Sequence, residues 1–162
     1  MTISIRQANL SDLDTITQIE ATCFPSAEAA SKEQLKKRLE TFTQSFFVAE
    51  KEGQIVGFIN GAVVDEKVIS DAMFEETTFH KSNGLYQSIF GLDVLPQYQH
   101  QGIATGLMHH MIASARQAGR KGLILTCKEA LIPFYSRFGY RNQGISLSNH
   151  GGAIWYDMTL LF

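Results

Sequence analysis

The run Leu92-Asp93-Val94 closes an apolar, strand-like stretch, Pro96 breaks it, and from Gly102 onward the chain becomes helix-periodic. Within GIATGLMHHMIASARQAG, the residues Ile103, Leu107, Met111 and Ala115 fall on one stripe, the pattern of a helix that buries one face. The continuously apolar GLILTC that follows reads as a strand in the centre of a sheet. ISIRQA alternates like a first strand. SDLDTITQIEATCF opens a helix at Ser11, with Asp14 standing for Glu or Gln in an imperfect capping box. A second helix runs through SKEQLKKRLE. SFFVAE and QIVGFINGAVV read as strands around the turn KEG, so a hairpin is expected. A short helix near VISDAMF and a loop through HKSNG lead into LYQSIFGLDV, read as one strand. EALIPFYSRFGY reads as a helix ending at Gly139, and AIWYDMTL as a last strand. The order βααββ, then βαβα, then β predicts a mixed α/β sandwich around a central sheet.

At 162 residues, with no internal repeat, low-complexity tract or linker, the chain fits one domain spanning 1–162. A composition 44% hydrophobic and 19% charged is that of a globular chain. The net charge of −2 argues against nucleic acid or an anionic membrane as partner. KKR (36–38) and RQAGRK (116–121) read as solvated helix faces. No segment approaches the ~18–20 apolar residues of a membrane span, and MTISIRQA is not a signal peptide. Cys23 and Cys127 are too few and too far apart for a disulfide scaffold, so a reduced, cytoplasmic location is expected. No Cys or His cluster has metal-ligand spacing, so no metal is expected.

Gln99, Gly102 and Ala104 form Q-x-x-G-x-A at the start of a helix. The first amides of a helix lack internal partners and carry partial positive charge, and small residues let a diphosphate approach them. A plain strand–helix turn explains the same residues equally well. No G-K-[ST] follows and no G-x-G-x-x-G is present, so nucleotide hydrolysis and dinucleotide binding lose support. In EALIPFYSRFGY, Phe134 and Phe138 read as core. Tyr135 adds a hydroxyl that a buried site must satisfy or use. A phenol of pKa ~10 can protonate a departing thiolate whose reference pKa is ~8.5.

Taken together, GLDVLPQYQHQGIATGLM and LIPFYSRFGY resemble the GCN5-related N-acetyltransferase superfamily, through L-x-V-x-P, Q-x-x-G-x-A and FY-x-x-x-GY. LTCKEALIPFYSRFGY and CFPSAEAAS are more narrowly similar to its arylalkylamine N-acetyltransferase-like branch. The resemblance implies a mixed, mostly antiparallel central sheet flanked by helices, with a V-shaped splay between the central strands. It implies acetyl-CoA as co-substrate, held by the pyrophosphate-binding amides of Gln101, Gly102, Ile103, Ala104 and Thr105. Gln99 and His100 would open that loop, and Leu92, Asp93 and Val94 would lie along the pantetheine arm like an added strand. The Leu92 amide would serve as oxyanion donor and Tyr135 as general acid.

One departure matters. Two histidines of the arylalkylamine enzymes, which relay the amine's proton, correspond here to Ser88 and Phe90. The base must then be another residue or a water chain. Glu28, Glu129, His80 and His150 are the candidates. Asp93 is set aside because strand alternation turns it away from Leu92 and Val94. Cys127 reads as an inert core thiol. Phe24, Glu28, Ser88, Phe90 and His150 are expected near the acceptor, and SLSNHGGAIWY, with Trp155, could flank its pocket. The expected activity is transfer of acetyl from acetyl-CoA to a small primary amine, an arylalkylamine or polyamine, by direct attack in a ternary complex. The alternatives are a non-catalytic acyl-CoA-binding module and an enzyme acting on a protein amine. A nucleotide-binding α/β domain using residues 99–105 for ATP would bind ATP and not CoA. Association into a homodimer is compatible with the sequence.

Overall fold

The computed structural model describes residues 2–162. One sheet has four antiparallel strands, β1 (Ile3–Gln7), β2 (Phe46–Lys51), β3 (Gln54–Asn60) and β6 (Gly91–Val94), in that spatial order. A second runs β4 (Val63–Val64), β5 (Tyr86–Ile89), β7 (Gly122–Cys127), β9 (Tyr156–Leu161) and β8 (Arg141–Ile145). In that sheet β5 and β7 are parallel and the other pairs antiparallel. The helices are α1 (Leu13–Cys23), α2 (Lys32–Phe42), α3 (Asp71–Glu75), α4 (Ile103–Gln117) and α5 (Ile132–Ser136). The mixed, mostly antiparallel sheet flanked by helices is therefore present. No helix among the described residues is long and apolar enough to cross a membrane.

LYQSIFGLDV is two strands rather than the single one expected, and the reason lies in its hydrogen bonds. Ser88 and Phe90 donate their amides to Ala62 and Asn60, whereas farther on Leu95 donates to Val56. Backbone groups alternate sides along a strand, so the side facing β3 changes from even to odd residues at Phe90–Gly91. Before that point β5 pairs with β7 up to Ile89 opposite Leu125. Beyond it β6 follows β3 and leaves β7. The sheet opens there into a V.

Two further expectations are corrected. The first helix is capped not at Ser11 but at Asn9, through a capping box with Asp12 across a 3-10 turn that precedes α1. Arg6 holds the Asp12 carboxylate with two bonds, of 2.8 and 2.9 Å, and this fixes the earlier cap. Strand β8, missing from the expected order, carries Arg141, Asn142 and Gln143 in the open and so shows no apolar alternation. Ser31 caps α2 with Gln34 in a full capping box.

One face of the sheet packs on α4, whose stripe Ile103, Leu107, Met111 and Ala115 is buried as the periodicity predicts. The other face packs on α1 and α2, through Ile16, Leu35, Phe46 and Phe58. Leu107 is fully buried, so Leu107→Ala is expected to cost about 2–5 kcal/mol of stability. Equilibrium urea unfolding checks this, and an unchanged midpoint would deny the stripe its role.

Candidate active site

The change of phase at Phe90–Gly91 determines what the V can do. Because Leu95, and by alternation Asp93 and Gly91, face β3, the backbone groups of Leu92 and Val94 point to the outer edge of β6. Among the described residues that edge has no strand neighbour. At its end the Val94 carbonyl accepts from the Gln99 side chain (3.1 Å) and the Cys23 thiol (3.4 Å), so Gln99 ties the following loop to the strand. The chain then reverses through His100 and Gly102, both at positive φ (62° and 82°), into α4. The Gly102 carbonyl accepts from Gly106, and the Ile103, Ala104 and Thr105 amides lie in the first turn without intrahelical partners. A Cβ on Gly102 would have no neighbour within 4 Å, so the space beside this turn is open.

A cavity of about 560 Å³ joins this helix end to the edge strand, bounded by Val94, Gln99, His100, Gly102, Ala104 and Thr105. Gln101 and Asp93 are not among its walls. The Gln101 side chain turns outward to Lys51 (3.0 Å), and Asp93 is buried on the opposite side of β6, beside α1. A second cavity of about 460 Å³ lies deeper in the V, between Gly91 and Leu92 on one wall and Leu125 to Cys127 on the other. Leu92 and Tyr135 border both cavities.

Tyr135 sits on α5, packed edge-on against Phe134 (5.1 Å) and Tyr140 (5.9 Å) and 8% exposed. Burial raises its pKa, so the hydroxyl keeps its proton at neutral pH and is a donor. Burial also pushes the Cys127 thiol up to about 11, which leaves no thiolate nucleophile.

The deeper cavity collects residues far apart in the chain. Phe24, Glu28, Phe90 and His150 all line it, together with Trp155. Ser88 does not. It is fully buried, and its hydroxyl donates to Ala62 O at 2.7 Å. Two loops form the far wall and are tied together. His150 Nε2 meets Glu28 O at 2.9 Å, Trp155 Nε1 donates to His150 O at 2.8 Å, and His150 stacks on Phe74 at 4.7 Å. Glu28 is paired with Lys128 at 2.8 Å. Of the other base candidates, His80 uses Nδ1 to accept from Val63 N, and burial lowers its pKa. Exposed Glu129 accepts from Tyr156 at 3.4 Å. Neither lines the cavity. Among the described residues no group of three or more His, Cys, Asp or Glu could hold a metal ion.

Several wall residues escaped the reading of the sequence: Glu20, Arg38, Asp71, Phe74 and Glu75. A signal existed for two. Glu20 continues the buried stripe of Leu13 and Ile16, and Arg38 sits between buried Leu35 and Leu39. A charged residue on the apolar face of a helix is rarely left without a partner.

The site of this α/β fold is thus a free strand edge inside a splayed sheet, running onto a helix N-terminus. The chain belongs to the acetyltransferase (GNAT) family, whose model matches residues 13–140. It is 27% identical over 143 residues to a probable hydrolase, YhcX, of Bacillus subtilis, covering 83% of this chain and 27% of that protein. To the serotonin N-acetyltransferase of Homo sapiens it is 32% identical over 98 residues, covering 58% of this chain and 44% of the other. It thus spans less than half the length of these relatives. Among solved structures, the loading GNATL domain of CurA from Lyngbya majuscula superposes with a TM-score of 0.86 at 16% identity, covering 99% of this chain and 98% of that one. A GNAT family acetyltransferase from Brucella melitensis in complex with acetyl-CoA gives 0.64 at 20% identity, covering 99% and 88%.

Proposed function

We propose that this protein transfers acetyl from acetyl-CoA to a primary amine by direct attack in a ternary complex. The observation that carries the reading is the position of the free Leu92 edge and Tyr135 between two cavities. One cavity suits the CoA arm and pyrophosphate, the other an acceptor. The pantetheine amides would pair with β6, and the Ile103–Thr105 amides would hold the pyrophosphate. The Leu92 amide would receive the oxyanion, and Tyr135 would protonate the sulfur as the C–S bond breaks. Holding both reactants in one cleft supplies much of the acceleration.

The acceptor wall combines aromatic surface (Phe24, Phe74, Phe90, Trp155) with the carboxylates Glu20, Glu28, Asp71 and Glu75, set against Arg38 on the wall and Lys128, which pairs with Glu28. That composition favours a cationic amine with an apolar or aromatic body, in line with the serotonin N-acetyltransferase likeness. A second reading, an acyl-CoA-binding module without turnover, draws support from Ser88, whose hydroxyl is committed to Ala62, and from Phe90, which cannot titrate. Acetyl-CoA incubated with arylalkylamines, polyamines and peptide N-termini, followed as free thiol, separates the two. Thiol release should depend on an arylalkylamine or other small amine. Acetyl-CoA binding with no release on any amine would favour the module.

A further inference from the structure

A polar cluster that the proposed reaction does not use is buried between α1, α2, β3 and β6. Glu20, Arg38, Asn60 and Asp93 are each at most 5% exposed. Some of their bonds are plain: Glu20 Oε2 accepts from Ala30 N (2.9 Å), Asn60 Oδ1 accepts from Arg38 (3.3 Å), and Arg38 donates to Phe74 O (2.8 Å). Glu20 Oε1, both Asp93 oxygens and Asn60 Nδ2 are left without partners. Three of those atoms gather around one glycine. A Cβ on Gly91 would lie 3.2 Å from Asp93 Oδ1, 3.3 Å from Asn60 Nδ2 and 3.8 Å from Glu20 Oε1. Gly91, Glu20 and Arg38 all line the acceptor cavity, and Gly91 immediately precedes Leu92. The absent side chain at 91 therefore opens the cluster toward the reaction centre.

Two buried carboxylates facing one guanidinium leave one negative charge uncompensated when both are ionised. Two carboxylates gathered within 4 Å of one glycine Cβ position, in a buried site, share a proton instead. We propose that Glu20 and Asp93 form a proton-sharing pair that accepts the proton of the acceptor amine, doing the work for which Ser88 and Phe90 are unsuited. Glu20, on the cavity wall, is the acceptor, and Asp93, behind it, is a positioning residue. The proposal rests on the acetyl-transfer reading above. An ammonium N–H breaks as a Glu20 O–H forms, and the freed lone pair makes the C–N bond. The C–S bond then breaks, sulfur takes the Tyr135 proton, and the surplus proton on the new amide nitrogen restores the phenol. The Glu20 proton leaves to solvent, the one proton that amide formation from an ammonium releases.

The groups facing the pair agree with this. Burial, and then the Glu20 carboxylate, raise the Asp93 pKa well above the carboxylate range, with Arg38 opposing. From α1 the Cys23 thiol is pushed up to about 12, chiefly by burial, and Tyr135 is raised as well, so neither ionises near neutral pH. Arg38, lowered by burial to about 10, stays charged. Asn60 is the polar residue that β3 contributes.

The test is the pH dependence of kcat/KM in the wild type and in Glu20→Gln, Asp93→Asn and Gly91→Ala. Glu20→Gln keeps an oxygen for the Ala30 amide but cannot take a proton. It is expected to lower kcat/KM about 10²-fold at neutral pH, with activity recovering as pH rises and the amine deprotonates by itself. Acetyl-CoA affinity should not change. Asp93→Asn leaves Glu20 as the one carboxylate of the cluster, so the proton that the pair holds at neutral pH should disappear from the carboxyl NMR spectrum, a change that a merely structural role would not cause. Gly91→Ala retains both carboxylates and covers them with a methyl group, and it should fall in rate like Glu20→Gln. Carboxyl carbon NMR of the wild type should find the pair still holding one proton at neutral pH. Wild-type kcat/KM and an unmoved acid limb in Glu20→Gln, or two ionised carboxylates by NMR, would overturn the pair alone. A wild type that acetylates no amine would overturn the transferase reading and this step with it.

Discussion

Tyr135→Phe should lower kcat by about 10²-fold or more while leaving acetyl-CoA affinity unchanged. The substitution removes one hydroxyl and keeps the ring, which is held edge-on by Phe134 and Tyr140 in a nearly closed site. The fold and the cavity walls should therefore persist, and the loss falls on a single proton transfer. The direction of its pKa supports that role. Burial keeps the phenol protonated, so it arrives at the transition state as an acid able to meet a thiolate of reference pKa ~8.5. Steady-state kinetics with a saturating amine, beside direct titration of acetyl-CoA binding, separates kcat from affinity. An unchanged kcat would remove Tyr135 from the chemistry.

Gly61→Ala is expected to cost about 3 kcal/mol or more, enough to leave the chain largely unfolded or insoluble. The reason is backbone crowding. Gly61 lies where the chain passes from β3 to β4, and a Cβ there would overlap the Ser88 carbonyl oxygen and sit 2.5 Å from its carbon. No rotamer relieves a clash between a Cβ and backbone. Ser45, Gln87 and the neighbouring strand are bonded to the same turn: the Gly61 carbonyl accepts from the Ser45 hydroxyl (2.6 Å) and the Gln87 amide (2.9 Å). The approach of Gly61 to Ser88 also lies next to the change of phase that frees the Leu92 edge. A loss of stability at position 61 would thus be coupled to the geometry of the active site. Thermal and urea unfolding of the soluble fraction check the magnitude, and wild-type stability would contradict the close approach.

Much of this architecture can be read from residue patterns. The α4 stripe, the hairpin of β2 and β3 and the central strand GLILTC each carry a period, or a length of apolar chain, that only one element type satisfies. The loop before α4 was legible too, because Gly102 takes the positive φ of the turn, and the helix begins where the sequence expects it. The deeper cavity was not. Its walls come from α1, α2, α3 and two loops, brought together by contacts such as Glu28–Lys128 and His150–Glu28 that span 100 residues or more. No local spacing encodes them. The break in LYQSIFGLDV was hidden for a related reason. Phe90 and Gly91 extend an apolar run without interruption, and the change of hydrogen-bonding side becomes visible only when β3 and β7 are in place. Ser88 shows the limit of carrying a role over by position, since its hydroxyl is committed to a backbone carbonyl. The Glu20–Asp93 pair had a signal, a carboxylate on an apolar helix stripe, whose meaning depends on Gly91 and Asn60 in other strands.

A crystal structure with a non-hydrolysable acetyl-CoA analogue would show directly whether the β6 edge and the α4 N-terminus hold the cofactor. The pyrophosphate should lie on the Ile103–Thr105 amides and the pantetheine should pair with the β6 edge. The thioester carbonyl should come within hydrogen-bonding distance of the Leu92 amide, with the sulfur facing the Tyr135 hydroxyl. An analogue seated elsewhere, or a thioester remote from both Leu92 and Tyr135, would contradict this placement.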